Sequence, residues 1–218
     1  MDHGIEAILF DFGGVITSSP FEAFNRYEAE HGLPRDFIRS VNARNGDTNA
    51  WARMERAEID PAEFDLAFRA ESQALGHAIS GADVLGLLSG DIRPMMVDAL
   101  KISASRFKIG CLTNNVRSGS GPGMARDQAK AQAVAEVMAL FQAVIESSKV
   151  GLRKPDPKIY LLACQELGVA PHNTIYLDDL GINLKPAKEL GMRTIKVGDP
   201  GPALADLAKL TGLTFPGI

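Results

Sequence analysis

Four polar stretches in the 218-residue chain carry side chains suited to chemistry: Asp11 in FDFGG, Thr113-Asn114-Asn115, Lys154 in RKPDP, and the pair Asp178-Asp179 in LDDLG. Asp11, the Thr-Asn-Asn triplet and the Asp pair each end a short apolar run. In a parallel sheet such ends share one rim, where ligands of open α/β folds collect. Two carboxylates brought close to Asp11 repel one another unless a cation lies between them. A hard, oxygen-only set with room for water and phosphate is what Mg²⁺ prefers. Each residue also has a plainer reading. Asp11 can be a turn former ahead of Gly13-Gly14. The Asp pair can be polarity at a helix start, although Asn183 is better placed to cap a helix from Leu184 onward. Lys154 can be a solvated surface lysine. Yet it precedes a helix start built from Asp156 and Pro157, where a cation opposes the macrodipole unless an anion is held there.

The elements that must position these residues follow from periodicity. AILF (7–10) reads as a strand buried on both faces. Residues 18–88 show no strand pattern, and helical spacing is found over 21–30, 36–42, 49–58 and 61–73. Within that segment Trp51, Arg53, Glu55 and Arg56 form the densest polar-aromatic cluster, read as an amphipathic helix with a solvated charged face and a buried Trp. A new helix begins at IRPMMVDAL, and then strands and helices alternate. Strands are predicted at 107–112, 141–145, 174–177 and 194–197, and helices at 127–139, 157–167, 184–190 and 203–210, with a flexible loop at 116–123. Strands separated by helices imply right-handed βαβ units. The expected fold is therefore α/β: a doubly wound, Rossmann-like parallel sheet from residues 1–17 and 89–218, with 18–88 inserted after the first strand as a helical cap.

A net charge of −4 and the absence of a dense Lys/Arg stripe argue against nucleic acid or an anionic membrane surface as partner. No apolar run approaches the ~20 residues of a membrane span, and the N-terminus lacks the pattern of a signal peptide, so a cytoplasmic location is expected. Cys111 and Cys164 sit in apolar patterns without metal-ligand spacing and read as buried thiols. Oligomeric state leaves no trace in the sequence.

Taken in order, FDFGGV, LTNN, KPDP and LDDLGINLKPAKELG resemble the four motifs of the haloacid dehalogenase (HAD) superfamily, in the subfamily with a helical cap after the first strand. The likeness is greatest to the phosphatase-like domains that precede epoxide hydrolase or acyl-CoA dehydrogenase modules in larger proteins. What the resemblance implies is a hydrolase with Asp11 as the nucleophile that forms an aspartyl-phosphate. Thr113 and Lys154 hold the phosphoryl group, and Asn114 touches substrate. Mg²⁺ is bound by Asp11, Asp179 and the Gly13 carbonyl, and Asp178 and Asn183 lie in or just behind the metal shell. The implied partner is a small organic phosphate. The sequence departs from the pattern at Gly13, where phosphatases of this superfamily usually carry an acid-base Asp, a role typically worth about 10²- to 10⁴-fold. Glu55, His31, Arg53 or the substrate's own leaving group are the possible stand-ins. Two alternatives follow from Gly13: a dehalogenase in which Asp11 attacks carbon without metal, and a catalytically weak regulatory or binding module. A phosphoacceptor receiver domain shares the Asp, Thr and Lys but is shorter and lacks a helical insert.

Overall fold

The run AILF forms β1 (Ala7–Phe10), and all four residues are buried. The computed structural model describes residues 4–117, 124 and 128–217. After β1 comes a tight turn, Phe12–Ile16, and then the helical segment α1 (Pro20–Glu30), α2 (Phe37–Ala43), α3 (Ala50–Glu55), α4 (Pro61–Gln73) and α5 (Gly81–Gly86). The rest alternates: α6 (Pro94–Ala104), β2 (Lys108–Thr113), α7 (Gln128–Met138), β3 (Ala143–Glu146), α8 (Ser147–Val150), α9 (Pro157–Leu167), β4 (Thr174–Asp178), α10 (Gly181–Glu189), β5 (Arg193–Lys196) and α11 (Pro200–Thr211). The strands pair in parallel in the order β3-β2-β1-β4-β5, which places β1 at the centre, with the direction of winding reversing beside it.

Strand alternation explains why β1 is apolar at every position. Ile8 and Phe10 face one apolar cluster, with Met96 and Leu100 of α6, Val134 of α7 and Leu204 of α11. Ala7 and Leu9 face another, with Tyr160 and Leu167 of α9 and Ala187 of α10. A strand covered by helices on both sides has no position left for a polar side chain until it ends. The first polar residue after it is Asp11, whose N–H still continues the ladder to the Leu177 carbonyl at 2.9 Å.

The segment α1–α5 packs around an apolar cluster of its own, in which Phe24, Ile38, Phe64, Phe68 and Val84 are buried. Its helices start on side-chain caps at Ser19, Asn49, Asp60 and Ser80, and Asp60 with Glu63 completes a capping box. The start of α2 is held instead by the buried Glu28 carboxylate, which accepts from the Asp36 and Ile38 N–H groups at 2.7 and 2.9 Å. Two connectors join this segment to the sheet and run antiparallel: Thr17 bridges Ile92, and the Ser18 N–H reaches the Asp91 carbonyl at 2.8 Å.

Several element bounds differ from those predicted. α3 stops at Glu55 rather than at 58, because Ala57 takes a left-handed conformation at φ 56°. β3 begins and ends later than expected, its last residue Glu146 lying in register with Thr113. α10 starts three residues before Leu184. The short helices α5 and α8 have too few turns to show a period in the sequence. The loop predicted at 116–123 and the helix start predicted at Asp127 lie largely or wholly outside the described residues. Cys111 and Cys164 are free and buried, and burial pushes both thiols above their ordinary range. Among the described residues no helix is long and apolar enough to cross a membrane.

Candidate active site

The ends of β1, β2 and β4 bring Asp11, Thr113, Asp178 and Asp179 to one rim of the sheet, and the loop before α9 adds Lys154. Asp11 is 6% exposed. Its Oδ1 accepts the Phe12 N–H at 2.7 Å and lies 2.9 Å from Lys154 Nζ. Lys154 is not a surface lysine: at 1% exposure its ammonium also meets Asp178 Oδ2 at 2.8 Å and donates to the Leu112 carbonyl at 3.1 Å. The anions before α9 are thus the protein's own, while the helix start itself is capped by Asp156. Burial works against the Lys154 charge, but Asp11 and Asp178 outweigh it and hold the ammonium above its usual pKa. For Asp11 the balance goes the other way, because burial raises its pKa well above the ordinary carboxylate value despite Lys154.

The two members of the Asp pair differ. Asp178 is fully buried, and its oxygens are saturated. Oδ1 accepts from the Leu180 N–H at 2.8 Å and the Asn183 amide at 3.1 Å, while Oδ2 takes Lys154, the same amide and the Tyr176 hydroxyl. Asp179 is less engaged: among the described residues its one hydrogen bond to another side chain comes from the Ser19 hydroxyl at 3.4 Å. Burial, and then Asp178, push its pKa up to about 6. Asn183 is not the predicted N-cap. It lies inside α10, because Leu180 occupies the cap position, and its amide is spent on Asp178.

The glycines after β1 have separate reasons. Gly14 sits at φ +81°, and a Cβ there would lie 2.3 Å from Asp179 Oδ2, so only glycine lets that carboxylate lean over the loop. Gly13 has ordinary angles, φ −70° and ψ 127°, and a Cβ on it would meet nothing within 4 Å.

On β2, the buried Thr113 hydroxyl has the Asn114 carbonyl as a distant 3.5 Å acceptor. Asn114 grips the Lys154 backbone from both sides, accepting its N–H at 2.8 Å and donating to its carbonyl at 3.0 Å. The Asn115 side chain donates to Glu146 at 2.8 Å and accepts from the Ser148 hydroxyl at 2.9 Å. Above these residues opens a cavity of about 390 Å³ whose walls include Phe21, Phe24, Trp51, Leu88 and Val116. Trp51 is only half-buried and faces this cavity, as does Glu55, so the predicted split into a solvated charged face and a buried Trp holds for Arg53, which is exposed, and not for these two.

Of the stand-ins for an acid at position 13, Glu55 is committed as an acceptor to Arg153 at 2.6 Å, Trp51 at 3.0 Å and Asn114 at 3.2 Å. His31 stacks on Tyr27 at 4.0 Å, and neither it nor Arg53 lines the cavity. The Glu55–Arg153 pair had no sequence signal, since 98 positions separate its members.

A family model for haloacid dehalogenase-like hydrolases matches residues 5–191. The chain belongs to that family. Acyl-CoA dehydrogenase family member 10 of Mus musculus is 34% identical over 212 residues, covering 94% of this chain and 19% of that protein. Bifunctional epoxide hydrolase 2 of Sus scrofa is 32% identical over 225 residues, covering 96% and 39%. The HAD chain therefore spans well under half the length of these two relatives. Phosphatase MT3486 of Mycobacterium tuberculosis is 30% identical over 209 residues, covering 90% of this chain and 89% of that protein. Among solved structures, a HAD family enzyme of Bacteroides thetaiotaomicron in complex with magnesium and inorganic phosphate aligns with TM-score 0.60 at 22% identity, over 91% of this chain and 96% of that one. The L-2-haloacid dehalogenase of Xanthobacter autotrophicus, with chloropropionic acid covalently bound, gives TM-score 0.60 at 21% identity, over 97% and 84%. Both share the HAD fold with this chain.

One oxygen from each of Asp11, Asp178 and Asp179 lies within 4.8 Å of the others, so the HAD site presents an acidic cluster able to hold a metal ion. The donor chemistry fits a hard divalent cation: all oxygen, with one carboxylate, Asp179, half-buried with little hydrogen bonding and its proton held up to about pH 6.

Proposed function

We propose that this HAD hydrolase is a Mg²⁺-dependent phosphatase of small organic phosphates, working through an aspartyl-phosphate on Asp11. The observation that carries the reading is the juxtaposition of Asp11 with a buried ammonium at 2.9 Å and an acidic cluster at the floor of a cavity. Asp11, Asp179 and the Gly13 carbonyl are the residues that would hold Mg²⁺, which when bound supplies charge neutralisation for the phosphoryl oxygens. With its hydrogen bonds already complete, Asp178 serves instead to brace Lys154.

The chain's own groups then divide the work. Phe12 N–H and Lys154 fix Oδ1 of Asp11, which leaves Oδ2 to attack phosphorus as the bond to the leaving oxygen breaks. Lys154 and the Thr113 hydroxyl hold the phosphoryl group, and Asn114 keeps the Lys154 backbone in place beneath it. Water then attacks phosphorus, releasing inorganic phosphate and restoring Asp11. Gly13 offers no proton to the leaving oxygen and no base to that water, so the first step is slow for leaving groups that need protonation and the second is slow for every ester. Residues 18–88 act as the cap, supplying the cavity wall that meets the organic part of the substrate.

The test is phosphate and halide release from panels of phosphomonoesters and 2-haloacids, with and without chelator. Phosphate release that needs Mg²⁺ and falls at least about 10³-fold in Asp11→Asn is expected. Halide release undiminished by chelator would instead establish the dehalogenase alternative.

A further inference from the structure

Among the described residues lining the cavity there are three cationic side chains, Arg39, Arg153 and Lys154, and each already holds a carboxylate. Lys154 meets Asp11 and Asp178. Arg39 pairs with Asp36 and lies over the Phe21 ring, 4.8 Å from its centroid. Arg153 Nε is 2.6 Å from Glu55 Oε2, and its other end donates to the Gly46 carbonyl at 2.8 Å. Glu55 is the decisive partner. It is 6% exposed, comes from the cap, and sits where Arg153 would otherwise present an unpaired guanidinium next to Lys154. The carboxylates lining the cavity are Asp11, Asp47, Glu55 and Asp179, four against three cations, and Asp47 is exposed. The remaining wall is largely aromatic and aliphatic.

We propose that Glu55 is a specificity-determining residue: by saturating Arg153 it removes the cation that could take a second anionic group, so the cavity selects phosphomonoesters whose organic part is uncharged and apolar. The inference rests on the phosphatase reading of the Asp11 site. A distal carboxylate or phosphate brought into this cavity loses its hydration, finds no cation without a carboxylate partner among the described residues that line it, and faces Glu55 at close range. Like charge in a partly desolvated wall is an effective means of rejection. An apolar ring, by contrast, gains burial against Phe21, Phe24 and Trp51.

The experiment compares phenyl phosphate with para-carboxyphenyl phosphate as substrates, and benzylphosphonate with para-carboxybenzylphosphonate as non-hydrolysable ligands. Binding is read from the fluorescence of Trp51, the one tryptophan of the chain, which lines the cavity. In the wild type the neutral member of each pair is expected to be favoured at least about tenfold, in kcat/KM and in Kd. Glu55→Gln frees Arg153 and is expected to shrink or invert that ratio. Arg153→Met leaves Glu55 unpaired and is expected to widen it. A merely structural role would move both members of a pair alike in both variants. Equal handling of the pairs by the wild type, or parallel shifts in the two variants, overturns the proposal. If a variant fails to melt cooperatively, the wild-type ratio alone decides. Phosphonate selectivity without turnover of any ester would leave the inference about the cavity standing and bring down only the phosphatase reading.

Discussion

Gly13 and Gly14 stand side by side in the loop after β1 and tolerate substitution very differently. A side chain at Gly14 collides with Asp179, whereas Gly13 has a backbone any residue can adopt and open space where a Cβ would sit. Restoring a carboxylate by Gly13→Asp is therefore expected to leave the fold intact and raise steady-state phosphate release from alkyl phosphates, by up to about 10²-fold. Stopped-flow and steady-state assays check it, and an unchanged rate would mean that proton transfer is already provided. At this scale much of the site was legible: Asp11, Thr113 and the Asp pair are marked by the apolar runs they terminate, since a strand buried on both faces admits polarity only at its end. Lys154 was marked by the capped helix start that follows it. What was not legible is how the carboxylates divide their roles. Asp178 and Asp179 are neighbours of one type, and only the positions of Tyr176, Leu180 and Asn183 show that the first is saturated and the second is not.

The alternation of strands and helices was readable because the inner strands β1, β2 and β4 are built on short apolar runs and the long helices show a 3.6-residue period. Ends were less so: Asn183 had the right residue type for a cap, but Leu180 takes that position and Asn183 serves Asp178. The connectors between cap and sheet carry no periodic signal at all, yet they are tightly joined. Gly90 lies against Ser18 so closely that a Cβ would come 2.4 Å from the Ser18 carbonyl oxygen. Gly90→Ala is expected to push the connectors apart, costing about 1–3 kcal/mol of stability by urea denaturation and speeding proteolysis near residues 17–18 and 90–92. Unaltered stability and cleavage would show that the connectors have slack.

At the scale of the whole molecule, a sheet rim holding three clustered carboxylates has a measurable pH signature. The Asp179 pKa is raised to about 6, chiefly by burial, so the folded metal-free protein holds this proton more tightly than the unfolded chain. The contribution is fully present below about pH 4, the unfolded carboxylate range, and is lost as pH rises through about 6. Melting temperature is thus expected to fall over that window relative to Asp179→Asn, which removes the titration. Above pH 6 the ionised carboxylate welcomes a cation, so added Mg²⁺ is expected to stabilise the wild type more at pH 7.5 than at pH 5, roughly as its apparent affinity rises. A Mg²⁺ effect independent of pH and unaltered in Asp179→Asn would remove Asp179 from the metal site.

The central claim is that Asp11 carries phosphorus, and the mass of the acid-quenched protein during turnover of an aryl phosphate tests it most directly. On the proposed mechanism the second step lacks a base and is slow, which leaves the intermediate populated. The expected result is one phosphoryl increment on the peptide containing Asp11, dependent on Mg²⁺ and absent in Asp11→Asn. Sustained phosphate release with no such increment, or with the increment on another residue, would contradict the account.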